Sequence, residues 1–363
     1  MASKRIESVD IFRGLTIAAM ILVNNPGTWS HIYAPLEHAE WHGLTPTDLI
    51  FPFFLFIVGI SISLAYKDKV ASAKTYKKII IRSLKLIGLG LFLAWFLPYP
   101  PFLKSFEILR FPGVLQRIGV VFFVASILFL NIKWKGLLAI TVTILLAYWL
   151  FMGFVPLPDG ALPTFDRAPN NWANYIDLHV LGKHMWKADY DPEGFLSTLP
   201  AVATTLLGIL VGRVLGMKQE IKLAMLIVSA MVFLLLGYAW SYWFPLNKAI
   251  WSSSFVLVTA GWATLLLTLI YYLRDVRNIK FGSLFKYMGM NAITIFFLSS
   301  FIAKNFSLIK INGQGIHAQL YNNLYVHSFL PDKVSSLLYA LTDVAFYLLI
   351  GFILYRKKIF IKV

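Results

Sequence analysis

The sequence predicts an all-α, polytopic membrane protein: a bundle of about ten transmembrane helices with both termini in the cytoplasm. Three observations predict it. Hydrophobic residues fill 58% of the 363 positions against 14% that are charged, and the mean hydropathy is +0.71. The apolar residues gather in runs that approach the ~20 needed to cross a bilayer. Lys and Arg are divided unevenly between the segments that join those runs. The chain reads as one domain over residues 1–363, with long extracytoplasmic loops at 154–195 and 304–334.

The first run, 9–25, follows a short basic stretch but is interrupted by Asp10 and Arg13, and no small-residue cleavage site follows it. It therefore reads as a retained helix rather than a signal peptide. Asn24 ends it just before Pro26. Further runs lie at 47–66, 79–97, 114–131, 135–153, 196–215, 221–243, 251–273, 284–303 and 335–355. With Lys4 and Arg5 inside, the inner segments are 1–8, 67–85, 131–135, 213–222, 274–286 and 356–363. They carry 22 of the 33 basic residues, nine lie outside, and Arg13 and Arg117 fall within runs. This asymmetry sets the orientation.

The net charge of +16 belongs to the inner Lys and Arg, which also meet lipid headgroups. Nucleic acid is not an expected partner, because no basic stretch is interleaved with stacking aromatics in a polar domain. The chain has no Cys, which excludes disulfides, thiolate catalysis and Cys-ligated metals. Neither an internal repeat nor a Gly-rich phosphate loop is evident, so a transporter built on inverted repeats gains no support.

Residues 38–59, His-Ala-Glu-Trp-His-Gly-Leu-Thr-Pro-Thr-Asp followed by an apolar run, place an imidazole and a carboxylate where a span meets water. Ionisable groups near hydrocarbon need a reason, and an imidazole titrates near neutral pH. His38 is accordingly the candidate base. Asp48 is placed to orient His38, to hold a substrate ammonium, or to act as a first-turn helix charge. His31, His38 and His42 are spaced by seven and four residues in a Pro-containing loop. That spacing matches no strong metal template, so no metal is expected. Between them the two long loops hold several Asp, Asn, Trp and Tyr residues, a surface suited to sugars, though a plain polar lid over the helix ends would look the same.

In this same order the sequence carries Ser8-Val9-Asp10-Ile11-Phe12-Arg13-Gly14, Val23-Asn24, the 38–59 stretch, Arg110-Phe111-Pro112-Gly113-Val114-Leu115-Gln116-Arg117, Tyr190-Asp191-Pro192-Glu193-Gly194, Asn247-Lys248, Trp251-Ser252, Gly289-Met290-Asn291 and Leu354-Tyr355-Arg356-Lys357-Lys358-Ile359-Phe360. Through them the chain resembles the transmembrane acetyltransferase family typified by heparan-α-glucosaminide N-acetyltransferase, which acetylates terminal glucosamine using cytosolic acetyl-CoA. The animal enzyme's long lumenal N-terminal extension has no counterpart in this sequence, so the resemblance implies a bacterial version in the inner membrane, acting on a different glycan.

The resemblance implies acetyl-CoA as co-substrate, an amino sugar or glycan as acceptor, and His38 as the essential histidine, on its His-Ala-x-Trp-x-Gly-Leu-Thr context. Asn24 falls on a family Asn and is suited to donate to the thioester oxygen; its plainer role is to terminate the helix. His42 stands where the animal enzyme has another residue, so His42 and His31 are read as surface groups. At the cofactor end, Arg13, Lys85, Asn291, Arg356 and Lys357 suit the phosphates, although the positive-inside rule explains most inner Lys and Arg equally well and neutralisation by Asp10 at i−3 is the plainer account of Arg13. Arg117 would position the acceptor or lock helices together. Asp191, Glu193, Asn247 and Lys248 join the acceptor side. Direct attack in a ternary complex is preferred to an acetyl-histidine intermediate. The rivals are an O-acetyltransferase of surface polysaccharide and, from another class, a glycan transporter or flippase. Exposed apolar helices fit a homodimer.

Overall fold

A computed structural model describes residues 6–361; Lys4 and Arg5, which enter the charge count, lie outside them. Among the described residues the chain forms thirteen α-helices and one two-stranded hairpin. Their order is α1 Glu7–Asn24, α2 Pro46–Tyr66, α3 Ala73–Trp95, α4 Val114–Asn131, α5 Trp134–Phe154, α6 Trp172–Leu181, α7 Thr198–Val214, α8 Gln219–Trp240, α9 Ser253–Tyr271, α10 Ser283–Gly289, α11 Ala292–Leu308, β1 Lys310–Ile311, β2 Gln314–Gly315, α12 Ile316–Leu324 and α13 Asp332–Arg356.

The fold is helical, as the apolar runs require; nine of the ten runs each fall on one helix, and the run 284–303 is divided between α10 and α11. By length and composition, however, six helices suffice to cross a membrane: α2, α4, α5, α8, α9 with its continuation to Val276, and α13. A seventh is gained if α10 and α11, bent by 84° at Met290–Asn291, count as one span. The other three runs fall short for visible reasons. Helix α1 carries Glu7, Asp10 and Arg13, α3 carries Lys74, Lys77, Lys78, Arg82 and Lys85, and α7 has only 17 residues. The long loops are not irregular throughout either, since α6 lies inside 154–195, and the hairpin and α12 lie inside 304–334.

Helices α9 and α2 form the centre, with 78% and 61% of their spans buried, while α8 and α13 are 17% buried and turn apolar faces outward. That gradient is expected of a bundle whose solvent is lipid. Helix α2 packs on α7 through small residues: Gly59 lies against the Thr205 carbonyl and Gly208 against the Phe56 carbonyl. A side chain at either position would separate the two backbones. Helix α1 has no capping side chain at its own start. Its first amides, Glu7 N and Ser8 N, donate instead to the Asp275 carboxylate at 3.1 and 3.0 Å, which satisfies orphan donors from a distant segment.

Candidate functional site

The site begins with a helix start. Thr45-Pro46-Thr47-Asp48 forms a capping box with Pro at the first helical position. The Asp48 backbone N–H donates to Thr45 Oγ1, and Asp48 Oδ2 accepts from Thr45 N at 3.1 Å. The same carboxylate accepts from Ala39 N at 3.1 Å, and its other oxygen lies 2.7 Å from His38 Nδ1. Local helix chemistry thus fixes Asp48, and Asp48 fixes the ring. The carboxylate side chain is 1% exposed and the imidazole 50% exposed. With Nδ1–H donating to Asp48, Nε2 is left as the acceptor, which is the arrangement a general base needs.

Lys248 closes the group from the turn between α8 and α9. Its Nζ lies 3.1 and 3.3 Å from the two imidazole nitrogens and 3.8 Å from Asp48 Oδ1. Burial depresses the Lys248 ammonium below the ordinary lysine range, although Asp48 and Glu193 act the other way. The buried Asn247 builds this turn by accepting from Ile250 N at 3.0 Å, and its amide donates to His42 Nδ1 at 3.3 Å. His42 Nε2 in turn meets Asp166 at 2.9 Å. Asn247 therefore shapes the turn that presents Lys248. Trp251, fully buried, completes the turn at φ 52°, in the left-handed region.

A second network joins Arg110 and the start of α4 to the segment 191–197. Arg110 donates from Nε and Nη2 to Asp191 at 2.8 and 2.5 Å, and from Nη2 to Glu193 at 2.5 Å. Burial alone would lower the Arg110 pKa, but the two carboxylates hold it above the ordinary range. Arg117 is 2% exposed; it donates to Gly194 O at 3.0 Å and Ser197 Oγ at 2.5 Å and lies over the Trp251 ring at 5.2 Å. Its guanidinium thus ties the 191–197 segment and the Lys248 turn to α4. Asp177, unremarked in the sequence, is buried and accepts from Phe195 N at 2.7 Å. Burial, reinforced by Asp191, pushes it up to about 6. Gly194 lies directly against this carboxylate, so a side chain at that position would collide with it.

At the far end of α2, Arg13 Nη2 donates to Ser61 Oγ at 2.6 Å, and Nη1 donates to Asp10 and to Gly289 O at 3.2 and 3.3 Å. Asn291, 2% exposed, bonds Ile359 O and Ile361 N at 3.0 and 2.9 Å. Arg356 and Lys357 are exposed at the end of α13. Arg13, Asn291 and the α13 terminus therefore gather around the α10–α11 bend. Lys85 stands apart, exposed on α3, which packs on α4 and α11. Thirteen residues separate Asp48 from Ser61, so the two polar ends lie about 20 Å apart along α2.

Between these ends an apolar cavity of about 300 Å³ follows α1 from Leu15 to Val23 and is closed by Leu36, Thr47, Ile50, Phe53 and Leu266. Asn24, the next residue of α1, is exposed. Helical spacing turns Asp48 to the opposite side of α2 from the cavity wall of Pro46, Ile50 and Phe53. Among the described residues no group of three or more His, Asp or Glu is placed to hold a metal ion.

Residues 5–239 match the family described as "Heparan-alpha-glucosaminide N-acetyltransferase, catalytic". Heparan-alpha-glucosaminide N-acetyltransferase of Mus musculus is 28% identical over 427 aligned positions, covering all of this chain and 61% of the relative. The Homo sapiens protein of the same name is 29% identical over 425, covering 99% and 60%. This chain thus spans about three-fifths of the length of these relatives. The family match takes in His38, Asp48, Arg117 and Glu193, whereas Lys248 falls in the part covered only by the whole-chain similarity. The chain belongs to the heparan-alpha-glucosaminide N-acetyltransferase family.

Proposed function

We propose that this member of the family moves an acetyl group from acetyl-CoA on the cytoplasmic side of a membrane to the amine of a glucosamine-type sugar or glycan on the other side. The observation that carries this reading is the division of α2: the His38–Asp48 pair at one end, Arg13 on Ser61 at the other, and between them an apolar cavity that Asp48 faces away from but whose wall includes Pro35 and Leu36 of the loop carrying His38. Arg13, Arg356 and Lys357 hold the phosphates of the donor, with Asn291 fixing the α13 terminus that presents the last two. The pantetheine arm follows the cavity toward Asn24. His38 removes the acceptor's proton as the amine attacks the thioester carbonyl, Asn24 donates to the developing oxyanion, and the CoA thiolate leaves. Asp48 holds the ring in the basic tautomer. Arg117 acts through the 191–197 segment and the Lys248 turn.

In this reading the chain crosses the membrane ten times, with α1 and α3 carrying their charges at the cytoplasmic face and both termini on that side, in the cytoplasmic membrane of a bacterium. The apolar outer faces of α8 and α13 meet lipid or a second copy. The match to the heparan-alpha-glucosaminide N-acetyltransferase family supports N- rather than O-acetylation.

Labelled acetyl-CoA offered with a series of amino sugars and amino-sugar oligomers tests the reading directly. The native protein should acetylate at least one of them. His38→Ala should lose transfer by two orders of magnitude or more while binding acetyl-CoA as before, because a base acts at the transition state. Near-normal turnover by that variant would remove His38 from the mechanism.

A further inference from the structure

An acyl acceptor in this site must bring a primary amine within hydrogen-bond reach of His38. The chain already holds one there. Lys248 Nζ lies against the His38 ring, 3.1 Å from Nδ1, which is bonded to Asp48, and 3.3 Å from Nε2, the nitrogen left free. The lysine's side chain is only 20% exposed, so it is confined beside the base rather than sweeping through water. It comes from the sharp turn that Asn247, Ser252 and the left-handed Trp251 hold in place.

We infer that Lys248 is itself an acyl acceptor: when the amino sugar is absent, the site acetylates the Lys248 side chain, and acceptor and lysine compete for the same position beside His38. This rests on the proposed use of acetyl-CoA as donor. The ammonium first gives a proton to solvent, a loss favoured by the burial that lowers its pKa. The Nζ lone pair then forms a C–N bond with the acyl carbon, and the C–S bond breaks with its electron pair leaving on the CoA sulfur. The second proton lost from Nζ passes to His38 and from there to the thiolate. The products are an acetyl-lysine amide and CoA thiol, with no oxidant or further reactant required.

The consequence is self-limiting. An amide is far more stable than an acetyl-imidazole, so the modified lysine is not an intermediate on the way to the sugar. It has lost its charge beside Asp48, and its acetyl group occupies the acceptor's place. Donor supplied without acceptor therefore turns the site off, and acceptor protects it.

The experiment incubates the full-length protein in detergent with acetyl-CoA alone, or with acetyl-CoA and glucosamine or its oligomers. Peptide mass spectrometry follows acetylation at Lys248 against the other lysines. The inference expects acetylation at Lys248 ahead of exposed lysines such as Lys85, slowing by about 10²-fold in His38→Gln, the scale of a lost general base, and suppression by excess amino sugar. Transfer activity of the native protein should decline during preincubation with acetyl-CoA in step with acetylation at Lys248, and amino sugar added at the start should prevent both. Sugar turnover with Lys248 unmodified, or modification equally fast in His38→Gln, overturns self-acetylation and leaves the acetyltransferase reading standing. Absence of both sugar turnover and lysine acetylation overturns both.

Discussion

His38 Nδ1 and Asp48 Oδ1 lie 2.7 Å apart, with the carboxylate buried and the ring half exposed. This relationship makes one residue both helix cap and orienting group. Asp48 closes the α2 capping box and accepts from Ala39 N, so the loop that carries His38 and the helix that begins after it are set by the same two oxygens.

Replacing Asp48 with Asn keeps the size and removes the charge. We expect kcat to fall by about 10²-fold or more, since the ring loses the partner that fixes its tautomer, while acceptor KM changes little. Thermal stability should drop by only about 1 kcal/mol, the scale of a weakened N-cap. Steady-state kinetics beside thermal unfolding checks this; a change confined to KM would make Asp48 an acceptor ligand instead.

Asn24 ends α1 beside the cavity wall at Val23. Asn24→Ala should lower turnover by about 10²-fold, the usual scale for one oxyanion donor, with acetyl-CoA affinity preserved. If only the acceptor KM rises, Asn24 contacts the sugar.

The two polar ends of α2 predict sidedness. In sealed, uniformly oriented vesicles, acetyl-CoA given only to the cytoplasmic face should acetylate an impermeant amino sugar present only on the other. Donor binding should weaken in Arg13→Ala or Arg356→Ala, because these cations anchor the phosphates, and should weaken with salt, because Arg356 is exposed and therefore screened. Transfer that requires both substrates on one face would exclude the through-membrane route.

Asp177 predicts a pH-dependent stability. Burial holds it up to about 6, against about 4 in an unfolded chain. The folded protein keeps a proton that the unfolded chain releases, so this contribution is complete below about pH 4 and is lost as pH rises through about 6. The shift corresponds to on the order of 3 kcal/mol. Melting temperatures in detergent between pH 4 and 7 should show the decline, and Asp177→Asn should flatten it. An unchanged slope in that variant would assign the pH dependence elsewhere.

The sequence by itself determined the helical class and some of the helix ends. Apolar runs fix where backbone groups must be satisfied within the chain, Asn24 before Pro26 and Thr45-Pro46 mark helix limits through local bonding, and Asp10 three residues before Arg13 pairs with it on one helix face. His38 and Asp48, ten residues apart, were legible for the same reason, since cap chemistry acts over short separations. What lies far apart in the chain was decided by tertiary structure alone. Lys248 reaches His38 across 210 residues and Arg110 reaches Asp191 across 81. Arg117, which the sequence leaves between positioning the acceptor and locking helices together, is enclosed against Trp251 and Gly194 in the fold. Asp177 is one more loop carboxylate in the sequence and a buried, proton-holding one in the fold. Hydropathy and capping are properties of neighbours along the chain, whereas burial and charge pairing depend on which helices pack together, and that follows from close contacts such as Gly59 on Thr205 that no local pattern specifies.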